Sequence, residues 1–196
     1  MERDEIINKL QSAFHQMHEV KTFYLHGSLL TSNYDIYSDI DFIIDVSGID
    51  NGKFMISLPD KLAPTMEIGY YAYAPRFAPE LYLITIYFKN SDIFHFVDIE
   101  CHANPHIVTL SKEELLKTTE SIKLKLSLVS LKHILRHNEQ PNEVELIYHS
   151  IYKHEQEVST KSQLLKIFGY FMQNQNPIIA DVARTANSML QNIQFE

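Results

Sequence analysis

The sequence predicts an α+β chain, an α/β domain over residues 1–110 followed by an all-α helical domain over residues 111–196. Three observations predict it. Short apolar runs at 22–26 and 40–45 lie on either side of Gly27-Ser28, as strands around a turn do. Two more β-rich runs follow, Leu81–Phe88 and Ile93–Cys101. From residue 111 onward the apolar spacing lengthens from the twofold repeat of strands to the three-to-four repeat of helices.

Taken in order, residues 2–18 read as an amphipathic helix, with Ile6, Ile7, Leu10, Phe14 and Met17 near helical spacing. Residues 22–26 read as a buried strand and 40–45 as a second. Between them, Leu29–Ser38 begins as one helical turn with its N-terminus at Gly27-Ser28. The stretch 46–80 is interrupted by Gly48, Gly52, Pro59, Pro64, Pro75 and Pro79, which leaves room for a short helix around Lys61. A tyrosine-rich loop then carries Tyr70, Tyr71 and Tyr73. Their rings suit either stacking on a base or substrate ring, or a partly buried aromatic loop. Lys89-Asn90-Ser91-Asp92 reads as the turn of a hairpin joining the last two strands. In the second of these, Asp98 and Glu100 share a face with Phe94 and Phe96, while His95, Val97 and Ile99 take the other.

The helical half opens on a capping box, Ser111 with Glu114 three residues later. That helix is expected to run to about His137. It carries two apolar stripes, one through Leu115, Ile122, Leu126 and Val129, the other through Leu124, Leu128, Leu131 and Leu135. Such a helix packs between neighbours. Pro141 suits the first turn of the next helix, which carries Val144, Ile147 and Ile151. A third carries Leu164, Phe168 and Phe171, and a fourth starts after Pro177 with Ile179, Val182, Ala186 and Met189.

Composition narrows the class. Apolar residues make up 45% and charged residues 21%, which is ordinary for a globular protein. No run approaches the roughly 20 apolar residues of a membrane span, and the acidic start Met1-Glu-Arg-Asp-Glu is unlike a signal peptide. A single cysteine, Cys101, excludes an intramolecular disulfide and suits a reducing, cytoplasmic setting. The net charge of −8 argues against a long nucleic acid as substrate, because phosphate backbones are gripped by Lys/Arg surfaces. It suits a small acceptor, and a cationic one in particular.

The chemistry gathers in Phe23-Tyr24-Leu25-His26-Gly27-Ser28, ten residues, then Asp39-Ile40-Asp41-Phe42-Ile43-Ile44. Strand side chains alternate, so Asp39 and Asp41 point to one face. Adjacent carboxylates repel unless a cation holds them. Mg²⁺ takes oxygen ligands and shares itself with substrate phosphates. Backbone N–H groups and the hydroxyl of Gly27-Ser28 suit the anionic end of a nucleotide. These features point to metal-assisted nucleotidyl transfer.

At these residues the chain resembles the nucleotidyltransferase superfamily related to DNA polymerase beta. The pattern there is an apolar strand, Gly-Ser or Gly-Gly, a short spacer, then Asp-x-Asp or Asp-x-Glu. The run Tyr37-Ser38-Asp39-Ile40-Asp41-Phe42 is most similar to small bacterial enzymes that adenylylate aminoglycosides or lincosamides. The resemblance is specific over residues 21–45 and weak beyond about 105. Many relatives place an Arg-Gly pair shortly after Gly-Ser, where this chain has Thr31-Ser32, a departure that bears on nucleotide choice and affinity.

The resemblance implies a mixed-sheet nucleotidyltransferase domain over residues 1–110, with Asp39 and Asp41 as catalytic metal ligands and Gly27 and Ser28 as nucleotide-binding residues. The third acid should come from a neighbouring strand. Asp98 is preferred for its mid-strand place, with Glu100 as fallback. Two Mg²⁺ ions about 3.5–4 Å apart would then serve an NTP, ATP expected, and the hydroxyl of a small-molecule acceptor. Asp98 or a carboxylate of the helical domain would assist deprotonation. The acceptor is expected in a cleft lined partly by residues 111–196. Two other classes compete: an antitoxin-type or other protein-directed adenylylating or interaction protein, and a catalytically dead nucleotide-binding fold. The helical extension weighs against the first and the intact acids against the second.

Other constellations are weak. His133 and His137 lie four apart and His102 and His106 bracket a loop beside Cys101, but zinc needs three or four convergent ligands. No Glu follows His133, so the metalloprotease pattern His-Glu-x-x-His is absent. His26, beside Gly27, reads as structural. Asp35 and Asp45 read as a loop residue and a strand-end cap.

Overall fold

The structure is a computed structural model describing residues 1–31, 34–73, 81–106, 117–137, 141, 143–153 and 159–193. The chain folds as two compact units, Met1–Thr119 and Glu120–Glu196. The boundary expected between residues 110 and 111 lies outside the described residues, as do Ser32, Pro75, Pro79 and the Ser111–Glu114 capping box with Leu115.

In the first unit, helix α1 (Arg3–Gln16) leads into strand β1 (Thr22–His26), and a single 3-10 turn (Gly27–Leu30) follows it. Then come β2 (Ile40–Asp45), α2 (Asn51–Leu62), β3 (Ile68–Tyr73), β4 (Leu81–Phe88) and β5 (Val97–His102). The five strands form one mixed sheet in the order β1-β2-β5-β4-β3. Strands β2 and β5 are parallel, and every other pairing is antiparallel.

The central strands alternate cleanly. Ile40, Phe42 and Ile44 of β2 and Val97, Ile99 and Cys101 of β5 are buried, while Asp41, Ile43, Asp45, Asp98, Glu100 and His102 between them are half-buried. The buried set joins one core with Ile6, Leu10 and Phe14 of α1 and Phe54, Met55 and Leu58 of α2. Phe14 meets Phe42 edge-on at 5.4 Å, and each such buried ring stabilises the fold by about 1.5–3 kcal/mol. The helices therefore take the apolar face, and the acids stand on the other.

Four expectations are corrected in this unit. Strand β1 is an edge strand, exposed and half-buried by turns, because only β2 flanks it. Gly52 and Pro59 sit inside α2, which Asp50 caps by accepting from Lys53 N at 3.0 Å. Pro59 has no N–H for the carbonyl four residues back, and the Tyr73 hydroxyl donates to that carbonyl, Met55 O, at 3.3 Å. Tyr70, Tyr71 and Tyr73 belong to β3, not to a loop. Tyr70 is buried and stacked on Tyr87 at 5.0 Å, so burial pushes its phenol far up, and its ring is no open platform. Finally, β4 and β5 do pair, but from Ile86 with Val97, so residues 89–96 form a longer connection in which Phe94 and Phe96 are buried.

The second unit is helical: α3 (Thr119–His137), α4 (Glu143–Ile151), α5 (Thr160–Phe171) and α6 (Pro177–Gln191). In α3 one stripe, Leu124, Leu128 and Leu131, is buried, whereas Leu126 of the other expected stripe is exposed. Helix α4 buries Val144 and Ile147, α5 buries Leu164, Phe168 and Phe171, and α6 buries Ile179, Val182 and Ala186. Asn176 caps α6 by accepting from Ile178 N at 2.9 Å, with Pro177 at its first position. Among the described residues, no helix is long and apolar enough to cross a membrane.

Candidate active site

Register brings the acids together. Asp41 on β2 pairs with His26 on β1 and, through the parallel ladder, with Asp98 on β5. Asp39 precedes β2 by one residue and lies two before Asp41. Asp39, Asp41 and Asp98 each offer a carboxylate oxygen within 4.8 Å of the others, and all three are half-buried. At that spacing two like charges repel by on the order of 3–4 kcal/mol at an effective dielectric near 20. A divalent cation relieves that repulsion, and an all-carboxylate oxygen set fits a hard ion such as Mg²⁺. Among the described residues this is the one grouping of three or more metal-capable side chains.

Gly27 enters the 3-10 turn with φ +73°, in the left-handed region. A Cβ there would overlap Asp41 Oδ2 and lie 3.0 Å from its Cγ. The main chain thus passes directly against the Asp41 carboxylate. Ser28 follows in the same turn, and its carbonyl accepts from Thr31 N and Thr31 Oγ1 at 3.0 and 2.9 Å. Thr31 therefore closes the turn on itself.

Asp98 has a neighbour that sequence reading missed. Thr85 on β4 pairs with Asp98 in register, is buried, and donates its hydroxyl to Asp98 Oδ1. The signal for it was one aliphatic hydroxyl in the otherwise apolar and aromatic run Leu81–Phe88. Glu100 shares the face of Asp98 but lies one step further along it, its Oε2 3.3 Å from His102 Nε2. Asp45, at the end of β2, accepts from Ser47 Oγ at 2.6 Å and Ser47 N at 2.8 Å, and these bonds hold its carboxyl below the usual range. It is a strand-end cap, as Asp35 is a loop cap for Tyr37 N at 2.9 Å. His106 bonds Asn51 at 2.7 Å, and the His133 and His137 rings lie 6.4 Å apart. Cys101 is fully buried and its thiol pushed up by burial.

Residues 7–73 match the family model of the nucleotidyltransferase domain. That match spans α1 to β3 and includes Gly27, Ser28, Asp39 and Asp41. The sequence matches no curated protein. In three dimensions it is similar to a chain in the structure of a GLD-2/RNP-8 complex, at 12% identity and TM-score 0.31, over 95% of this chain and 90% of that one. It is similar also to JHP933 from Helicobacter pylori, at 10% identity and TM-score 0.31, over 97% and 95% of the two chains. Both likenesses are distant, and the family match carries the assignment. Residues 7–73 thus resemble a nucleotidyltransferase domain, the enzyme class that moves a nucleotidyl group from an NTP to an acceptor.

Proposed function

We propose that this protein transfers AMP from ATP to a hydroxyl of a small molecule, with Asp39, Asp41 and Asp98 as its catalytic metal ligands. The observation that supports it most is the convergence of those carboxylates within 4.8 Å beside a glycine turn. Mg²⁺ ions, when bound there, would neutralise the triphosphate and acidify the acceptor hydroxyl. The protein's own groups do the rest. Gly27 and Ser28 steady the outer phosphates through backbone N–H groups and a hydroxyl. The acceptor oxygen attacks the α-phosphorus in line, its proton passes to Asp98, and pyrophosphate leaves. A cytoplasmic setting accords with the single cysteine and with ATP as donor.

Calorimetry tests this reading. Asp41→Asn is expected to abolish most Mg²⁺-dependent ATP binding while keeping the circular dichroism of the fold. Wild-type affinity in that variant would defeat the assignment.

A protein-directed reading draws on a separate observation. Tyr24, Leu30, Tyr34 and Ile36, all within fifteen residues of Asp39, are 54%, 64%, 55% and 70% exposed. Exposed apolar groups of this size suit a protein partner. Radiolabel transferred from ATP to a co-purifying protein rather than to small molecules would favour it.

A further inference from the structure

The two segments that lead into Asp39 and Asp98 are fastened to each other and to the start of α1. The segment 34–39 is internally tied: Asp35 Oδ1 accepts from Tyr37 N at 2.9 Å and from Ser38 Oγ at 3.1 Å, and Ser38 is fully buried. The segment 89–96 turns at Asp92, whose side chain accepts from Phe94 N at 2.9 Å and whose carbonyl accepts from His95 N at 3.0 Å. Tyr37 then meets Phe94 edge-on at 5.2 Å, and Ile40 N donates to Phe96 O at 3.1 Å. Arg3 sits at the crossing. Its Nη2 donates to Asp35 O at 2.8 Å and Ile36 O at 3.2 Å, and lies 3.2 Å from His95 Nε2.

We propose that Arg3 and His95 are positioning residues of the active site, a clamp that holds the approaches to Asp39 and Asp98 in the spacing a metal–nucleotide complex needs. The inference rests on the metal-binding reading of the triad. Neither residue touches the acids, so both act through the main chain of residues 35–36 and 95–98. Ligand-holding geometry is sensitive to such outer support, whose loss typically costs 10–100-fold in metal affinity or activity.

The clamp has a chemical condition. A guanidinium only donates, so a hydrogen bond from Arg3 Nη2 to His95, shared with those to the two carbonyls because Nη2 carries only two hydrogens, needs a neutral ring whose Nε2 can accept. Burial and then the Arg3 charge push His95 below its ordinary value, opposed by Asp92, Glu2 and the Ile36 carbonyl. The sign follows. The ring is neutral above its lowered pKa, and the clamp opens as pH falls through that value, when two cations would face each other.

The test is calorimetric binding of Mg²⁺-ATP by the full chain between pH 5 and 8, for wild type, Arg3→Gln, Arg3→Lys and His95→Asn, with Asp41→Asn in parallel. Arg3→Gln is expected to lose about 10–100-fold in affinity at neutral pH, as support lost around a metal ligand does. Arg3→Lys, which keeps the charge but loses the planar, directionally fixed guanidinium, should fall between. Wild type should weaken on the acid side, and His95→Asn, which offers an acceptor that does not titrate, should lose that acid limb. Wild-type affinity and pH profile in the Arg3 and His95 variants, with binding lost in Asp41→Asn, overturn the clamp and leave the metal reading standing. Wild-type binding in Asp41→Asn overturns the metal reading, and the clamp with it. If Arg3→Gln loses its circular dichroism, Arg3→Lys and His95→Asn decide. Unfolding of all three makes the pair a core element and overturns the proposal as well.

Discussion

At position 27 the chain has room for a hydrogen and nothing more. The left-handed φ alone would cost a residue with a Cβ about 1–2 kcal/mol, and that Cβ would also run into the Asp41 carboxylate. Gly27→Ala is therefore expected to displace either the turn or Asp41. A shift of about 1 Å at a reacting centre can cost on the order of 100-fold, so Mg²⁺-ATP affinity should fall at least tenfold. Wild-type affinity would show that the turn and the acid are not a unit. On the far side of the site, Thr85 holds Asp98 through its hydroxyl. Thr85→Val keeps the shape and removes the bond, so metal affinity should drop about 10–100-fold, as expected for a group supporting a metal ligand. Thr85→Ser should restore most of it. Equal behaviour of the two variants in a Mn²⁺ titration would reduce Thr85 to packing.

At the scale of elements, α2 and β3 show how a local signal can mislead. Pro59 reads as a breaker in sequence because it removes a donor and crowds the preceding turn. Within the fold the carbonyl it leaves, Met55 O, accepts instead from the Tyr73 hydroxyl, a partner that no window around residue 59 contains. Tyr73→Phe should thus destabilise the protein by about 1–3 kcal/mol, the cost of a buried acceptor left unpaired. Adding Pro59→Ala, which restores the helical donor, should recover part of it. Additive effects in urea unfolding of the two single variants and the double would sink that account. The same contrast explains what sequence could and could not show of the site. Strands β1 and β2, the turn at Gly27 and the pair Asp39 and Asp41 were legible because they lie within 25 residues of one another and follow a strict alternation. The nearness of Asp98 was an expectation from the third acid that the resemblance calls for on a neighbouring strand, and the β2–β5 register sets Asp98 opposite Asp41. The roles of Thr85, Arg3 and His95 were not legible, since each depends on a partner between 13 and 92 residues away.

For the molecule as a whole, charge is the property that bears on the acceptor. Neutralising the triad with divalent ions removes charge at one point, yet 25 acidic side chains stand against 17 basic ones over the chain. A polynucleotide acceptor needs a track of cations, and its binding weakens steeply with salt as counterions are released. A small acceptor needs only a short polar cavity, and a cationic one is drawn by the same field that repels a phosphate backbone. We therefore expect label from ATP to pass to polyhydroxylated cationic small molecules in preference to an RNA oligonucleotide. Half-saturation by such an acceptor should rise only a few-fold between about 50 and 200 mM salt, because a compact ligand engages few charges, whereas a chain gripping 6–10 phosphates would lose roughly 10³–10⁵ in affinity. The measurement is a radiolabel transfer assay with both acceptor types across that salt range. Efficient extension of the oligonucleotide, with the steep salt slope of phosphate contacts, would overturn the small-molecule proposal while leaving the proposed nucleotidyltransferase chemistry of Asp39, Asp41 and Asp98 in place.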